Sequence, residues 1–534
     1  MTSSLGRLGF ILKEKEIGRM KKKREKPVAR PRGPRRIVLI VAQRLLVTLL
    51  ILLQLSLWVF VPLSSAVTYQ WINGIFRVIG VFAALFVISE PTPAAYRLLW
   101  TVLLLLVPVV GVTLLVLFRA RGVSASHYRY VRRTNHYPPV RLPDEPYPAG
   151  SYSRCLSYLA SHGFRVESAE GSLYFPLGEY KFKRLIEELS RAEHYVFMEY
   201  FIIDDGVLWE KILDALRTLA KKGVEVRILM DDIGCFMRRP RGYAETLRKM
   251  GFKVRIFNRF TPFVTATQNY RDHRKIVVVD GKVAFTGGAN LADEYINKRR
   301  RFGHWKDTAV MVSGAAAQSF SVFFLRMWET VTRTPEDITP YLAYATRTPI
   351  GDGGVAVPYV DSPVGDDDAV TKNLYLNMIS SAKHSLWITT PYLIPDDSLI
   401  DALCLAARSG VDVRIITPAT PDKKLVNITT KTYYRPLQEA GVRIYEYTPG
   451  FIHSKVLVAD GVAASVGSAN MDYRSLYLSF ECGVFLHGAD TVLDIVRDFE
   501  ETFSVSEEMP LREEKAGFIG KIFRRVLRLF SPLM

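Results

Sequence analysis

An α/β protein made of two copies of one βαβ unit, preceded by an apolar helical block, is the architecture this sequence predicts. Three observations carry it. The C-terminal four-fifths of the chain repeats itself in order, each copy alternates β-branched apolar runs with amphipathic stretches, and residues 37–118 are almost continuously apolar. At 534 residues, 49% hydrophobic and 23% charged, the chain has ample material for packed cores, which excludes a disordered or fibrous protein.

Residues 1–36 form a basic tail. They hold 13 Lys and Arg against Glu14, Glu16 and Glu25, so this segment carries +10 of the chain's formal +18. Such a tail suits phosphate-bearing partners, and it lacks the aromatic interleaving that stacks bases, so lipid headgroups rather than nucleic acid are expected. The next segment, residues 37–118, is read as membrane-spanning. Leu45 to Pro62 carries no charge, Trp71 to Val87 is interrupted by Arg77, and Leu98 to Phe118 is uncharged. A span needs about 20 apolar residues. Arg35 and Arg36 before the block and Arg119 and Arg121 after it favour an even number of spans. Two full spans are expected, with Trp71–Val87 as a doubtful third, giving a multi-pass membrane protein.

Residues 119–360 and 361–510 are expected to be the two halves. The run from His194 to Asp205 parallels His384 to Asp397, and Gly223-Val-Glu-Val-Arg-Ile-Leu parallels Gly410-Val-Asp-Val-Arg-Ile-Ile. Within the first copy, Tyr195–Ile203 reads as a buried strand and Val207–Lys222 as a helix with Leu208, Ile212, Leu213, Leu216 and Leu219 on one face. Val224–Met230 then reads as a strand again. Two such units are expected to pack face to face.

Each half also holds one polar pattern, His273-x-Lys275, Asp280, Gly287-x-x-Asn290 and His453-x-Lys455, Asp460, Gly467-x-x-Asn470, offset throughout by 180 residues. An imidazole and an ammonium two residues apart on a strand point to one side, a costly pair to bury in an apolar core but a suitable one around a phosphodiester. The candidate catalytic residues are therefore His273, Lys275, Asp280, His453, Lys455 and Asp460. The lysines would neutralise phosphoryl oxygens, Asn290 and Asn470 would donate hydrogen bonds to them, and one histidine would attack phosphorus while the other moves the proton. Each histidine needs a carboxylate on its second nitrogen. Asp307 and Glu481, in equivalent contexts downstream of the motifs, are preferred for that task over Asp280 and Asp460, which can instead fix turns.

The doubled H-x-K-x4-D-x6-G-[GS]-x-N pattern resembles the phospholipase D superfamily over nearly all of Tyr195 to Glu481. Within that span Asn269–Lys275, Trp305–Asp307, Tyr445–His453 and Gly467–Ser475 resemble bacterial cardiolipin synthases, as does the apolar N-terminal block. The resemblance implies two phospholipase D-like halves and a transferase. One phosphatidylglycerol would leave a phosphatidyl-histidine and glycerol, and a second would attack it to form cardiolipin, with no metal or other cofactor. By analogy His273 is the nucleophile and His453 the general acid and base, although the near-symmetric motifs do not order them. Asp272 and Lys306 stand where family members often carry Asn and Arg. A hydrolase, a different acceptor alcohol, a nuclease and a non-catalytic lipid-binding scaffold are the alternatives.

Residues 511–534 end the chain as a basic amphipathic helix, with Phe518, Ile519, Ile522, Phe523, Val526 and Leu527 against Lys521, Arg524, Arg525 and Arg528. It is read as lying on anionic lipid, the competing reading being a helix docked on the protein's own core. Cys155, Cys235, Cys404 and Cys482 show no disulfide or zinc spacing.

Overall fold

The computed structural model describes residues 67–90, 92–120, 152–236, 238–239, 242–259, 269–342, 353–364, 368–511 and 517–534, with Leu49, Leu52 and Ser56 besides. The basic tail and nearly all of the expected first span lie outside the described residues.

The two halves are built on one strand order. In the first, seven strands run Leu173–Phe175, Ala309–Ser313, Val283–Gly287, Lys275–Val279, Tyr195–Tyr200, Glu225–Asp231 and Lys253–Phe257 across the sheet. In the second, the order Ser479–His487, Ala463–Gly467, Val456–Ala459, Ser385–Thr389, Asp412–Pro418 and Arg443–Tyr447 repeats the last six of these. In each sheet the last three strands are parallel and the hairpin carrying the motif is antiparallel. The parallel part follows from helical crossovers such as Val207–Lys221, whose Leu208, Ile212, Leu216 and Leu219 are buried as their spacing predicts. Val355–Asp361 straddles the boundary expected between residues 360 and 361. It pairs wholly with Ser479–His487 and so belongs to the second sheet.

Period two divides the side chains of each buried strand between two cores. Tyr195 and Phe197 face the helix Gly314–Thr332 and share a core with the second half, while Val196, Met198 and Tyr200 line the outer core of the first half. The face-to-face packing is sealed by two short parallel pairings between halves. Arg271–Asp272 runs beside Ser479–Phe480, and Gly450–Ile452 runs beside His304–Lys306.

The apolar N-terminal block differs from its expected form. Leu98–Phe118 is not one rod: helix Ala94–Leu106 stops at Val107, which takes φ −127° and ψ 65°, and a second helix, Pro108–Ala120, begins at the proline. A residue before proline is pushed out of the helical region, and the proline offers no N–H. The bend is sharp, for a Cβ on Gly111 would come within 2.9 Å of the Leu103 carbonyl oxygen. Helix Val67–Ile88 carries Gln70, Asn73 and Arg77 in its first half. Among the described residues, no helix is long and apolar enough to cross a membrane. These helices cover only a small cluster, Ala84, Val87, Leu104 and Leu115, and leave Trp71, Phe82, Leu85, Leu98 and Leu106 exposed.

Candidate active site

The two pairings between halves position the histidines. Asp272 lies opposite Phe480 and the His273 N–H donates to the Phe480 carbonyl at 2.9 Å, so the next residue of the partner strand, Glu481, faces His273. By the same geometry Ile452 lies opposite Lys306, the His453 N–H donates to the Lys306 carbonyl at 2.7 Å, and Asp307 faces His453. The side chains meet accordingly. His273 Nδ1 is 2.9 Å from Glu481 Oε1, and His453 Nδ1 is 2.6 Å from Asp307 Oδ2. Each carboxylate thus serves the histidine of the opposite half, and both histidines lie at the seam between halves.

Lys275 starts the strand Lys275–Val279, and Lys455 immediately precedes the strand Val456–Ala459. Lys275 Nζ donates to the His273 carbonyl and lies 5.8 Å over the Phe201 ring, while Lys455 Nζ donates to the His453 carbonyl and lies 2.8 Å from His453 Nδ1. Both lysines are fully buried. Burial lowers Lys275 to about 8 and Lys455 to about 7. Burial and then the two lysines hold both imidazoles well below the ordinary histidine range. Burial also pushes Asp307 up to about 6 and Glu481 up to about 7. A neutral imidazole that donates Nδ1–H to its carboxylate leaves Nε2 as a lone pair, the state a nucleophile needs.

The remaining motif positions separate into two groups. Asn290 Nδ2 donates to Tyr295 Oη at 2.7 Å and Asn470 Nδ2 to Asp472 Oδ2 at 3.1 Å, so one N–H of each amide is engaged. Asp280 and Asp460 stand apart from the histidines, which corrects their place among the candidate catalytic residues. Asp280 accepts from the backbone N–H groups of Glu193, His194 and Tyr195, each at 2.8 Å, and Asp460 accepts from Lys383, His384 and Ser385 and from Tyr152 Oη. Both adopt φ 52° in the turn after the lysine strand. Their carboxylates close that turn onto the neighbouring strand; proton transfer at the cleft is beyond their reach.

Gly288 occupies the position of Ser468 in the other half. A Cβ at 288 would overlap Asp307 Oδ1, whereas Ser468 Oγ donates to Glu481 Oε2. Gly288→Ala should therefore push Asp307 off His453 and lower turnover by about 10²-fold, the usual cost of a displacement near 1 Å at a reacting centre. Steady-state kinetics of the purified variant checks this, and a rate within twofold of the native one contradicts it.

Several residues around the histidines were assigned no role by the sequence reading, although Trp305, Phe451 and Arg474 lie in segments that carry the family resemblance. The Tyr295, Trp305 and Phe451 rings wall His453, with centroids 5.6, 5.4 and 5.8 Å away, and Phe201 lies edge-on to His273 at 5.2 Å. Lys423, 4.6 Å over the Tyr392 ring, and Arg474 add positive charge that helps to lower His273. Lys181 is fully buried beneath the site and donates to the Ala289 carbonyl at 3.3 Å. Its helix, Gly178–Ser190, reads as an ordinary amphipathic surface helix, which hides this lysine. The two departures from the family pattern sit behind the histidines. Lys306 Nζ pairs with Asp498 Oδ1 at 2.6 Å, and Asp272 accepts from the Arg274 N–H at 3.3 Å.

Comparison with known proteins points the same way. The family model described as "Cardiolipin synthase, PLD-like domain" matches residues 185–328 and 375–503. A cardiolipin synthase of Geobacillus kaustophilus is 35% identical over 85% of this chain and 92% of its own length. An uncharacterized protein of Streptococcus mutans is 44% identical over 72% of this chain and 83% of its own. Among solved structures, phosphatidylserine synthase of Haemophilus influenzae shares the fold at a TM-score of 0.54, 14% identity, covering 72% of this chain and 98% of that one.

Proposed function

The chain belongs to the cardiolipin synthase family of phospholipase D-like proteins, and from that premise we propose that it moves a phosphatidyl group from one phosphatidylglycerol to another through a phosphatidyl-histidine on His273. It is a phosphatidyltransferase. The observation that supports this route best is the pair of crossed contacts, His273 with Glu481 and His453 with Asp307, which gives the cleft two oriented imidazoles and two lysines. In the first step the phosphodiester of one phosphatidylglycerol lies between Lys275 and Lys455. His273 Nε2 attacks phosphorus, a P–N bond forms, the P–O bond to glycerol breaks, and His453 gives its proton to the departing oxygen. In the second step His453 takes the proton of a hydroxyl on the second phosphatidylglycerol. That oxygen attacks phosphorus, the P–N bond breaks, and cardiolipin leaves with His273 restored. The amide N–H groups of Asn290 and Asn470 stabilise the charge that grows on the phosphoryl oxygens.

This scheme needs His453 protonated, whereas burial holds its imidazole well below the ordinary histidine range and lowers Lys455 to about 7. An anionic phosphodiester raises the affinity of both groups for a proton. Substrate binding at pH 8 should therefore take up close to one proton. Calorimetry in buffers of different ionisation enthalpy measures it; zero uptake or proton release contradicts the scheme.

The apolar residues 37–118 and the basic tail support placement in the bacterial cell membrane with the tail against anionic headgroups. The functional test is incubation of the purified full chain in detergent with phosphatidylglycerol alone, without added metal or nucleotide. Cardiolipin and glycerol in equal amounts are expected. Phosphatidic acid with glycerol would make water the acceptor, and absence of any product would leave a lipid-binding scaffold.

A further inference from the structure

The C-terminal helix Phe518–Leu529 presents its apolar side to the outside. Phe518 and Ile519 are 79% and 82% exposed, and Ile522, Phe523, Val526 and Phe530 are each about half exposed. Only Leu527 of this row is buried, so the helix is not docked on the protein's core by its apolar face. What holds it is its end. Ser531 and Pro532 are buried, Tyr433 Oη donates to Ser531 Oγ at 3.0 Å, Thr429 Oγ1 donates to Met534 Sδ at 3.2 Å, and the Arg528 guanidinium lies 4.5 Å over the Tyr433 ring. Tyr433 and Thr429 belong to the helix Lys424–Glu439. The apolar row is thus tied to the helix that follows Lys423, whose charge acts on His273.

Two features identify its occupant. Arg524, Arg525 and Arg528 are exposed on the same helix, the arrangement that meets an acyl layer with its apolar residues and anionic headgroups with its cations. The helix also touches Ala94–Leu106, which itself leaves Leu98, Leu105 and Leu106 exposed. A row of large exposed apolar side chains such as Phe518, Ile519 and Phe523 marks an interaction site.

We propose that Phe518–Phe530 is a membrane-docking helix that lies in the interface of a bilayer rich in anionic lipid and sets the mouth of the cleft at headgroup level. This rests on the transferase reading only in that the substrate is itself such a lipid. Because these side chains are exposed, substituting them does not open the core.

The test has two arms, both on the full chain reconstituted in vesicles. In a Cys404→Ser background, where Cys155, Cys235 and Cys482 are buried, a fluorophore is placed by Ile519→Cys, Phe523→Cys or Arg525→Cys. Phosphatidylglycerol brominated on its acyl chains should quench positions 519 and 523 at least threefold more than 525. Equal quenching at all three, or none, overturns the proposal, as does energy transfer between labelled chains in place of lipid quenching, which would mean a second copy covers the row. In the second arm, Phe518→Asp/Ile519→Asp/Phe523→Asp should lose at least tenfold in kcat/KM on vesicle phosphatidylglycerol and stay within twofold on phosphatidylglycerol in detergent micelles. Equal loss in both, or no loss on vesicles, overturns it. Failure of the transferase reading is distinguishable, since the native chain would then make no cardiolipin in either dispersion while the quenching arm still reports on the helix.

Discussion

Replacing His273 with alanine should lower cardiolipin formation by at least about 10⁴-fold, and His453→Ala should do the same, because each removes one of two groups that act as a unit. The expectation follows from placement. Both imidazoles sit at the seam, each is tied through Nδ1 to a buried carboxylate, and each is kept neutral by burial beside Lys275 and Lys455. The double variant should be scarcely slower than either single one. Discontinuous assays of lipid product, with circular dichroism to verify folding, make the comparison. A single variant with more than one-hundredth of native turnover removes that histidine from the mechanism.

The second large effect is expected at the carboxylates. Glu481→Gln and Asp307→Asn keep shape while replacing a charge with an amide, which can present an N–H to histidine Nδ1 and stabilise the wrong tautomer. A loss on the order of 10²–10⁴ in kcat with little change in KM is expected. The crossed arrangement adds a specific signature. Glu481 lies in the second half yet serves His273 of the first, so Glu481→Gln should slow formation of the phosphatidyl-enzyme. Asp307→Asn should act through His453 on proton transfer to glycerol and from the acceptor. Rapid-quench kinetics separates the two steps. Identical defects in both steps for both variants would contradict the assignment of separate tasks to the two histidines.

Much of this was legible in the amino-acid sequence, for reasons tied to particular residues. The 180-residue offset between the motifs reported a duplication, and the alternation around Tyr195–Ile203 and Val207–Lys222 reported strand and helix, because burial on a sheet or a helix face imposes those periods. Asp307 and Glu481 were recognisable as carboxylates in matching contexts. Which histidine each one serves was not, since that depends on Arg271–Asp272 and Gly450–Ile452 pairing across the seam, a contact with no local signature. Asp280 and Asp460 share the motif's spacing with the histidines, but at φ 52° their carboxylates turn back to cap backbone N–H groups, the other use of an aspartate beside a glycine. Counting apolar residues from Leu98 to Phe118 overrode the signal of Pro108, which bends that segment. The helical moment of residues 518–530 was equally plain, while the decision between core and lipid required knowing that Leu527 alone of that row is buried.

The central claim is that phosphatidyl transfer passes through His273. The direct measurement mixes the native chain with phosphatidylglycerol labelled in its acyl chains, stops the reaction within one turnover in a denaturing detergent at neutral pH, which spares both the acid-labile phosphoramidate and the alkali-labile acyl esters, and maps the modified peptide by mass spectrometry. Label on the peptide containing His273, absent from His273→Ala, is the predicted result. Label on His453 instead, or cardiolipin formed without any labelled histidine, would contradict it.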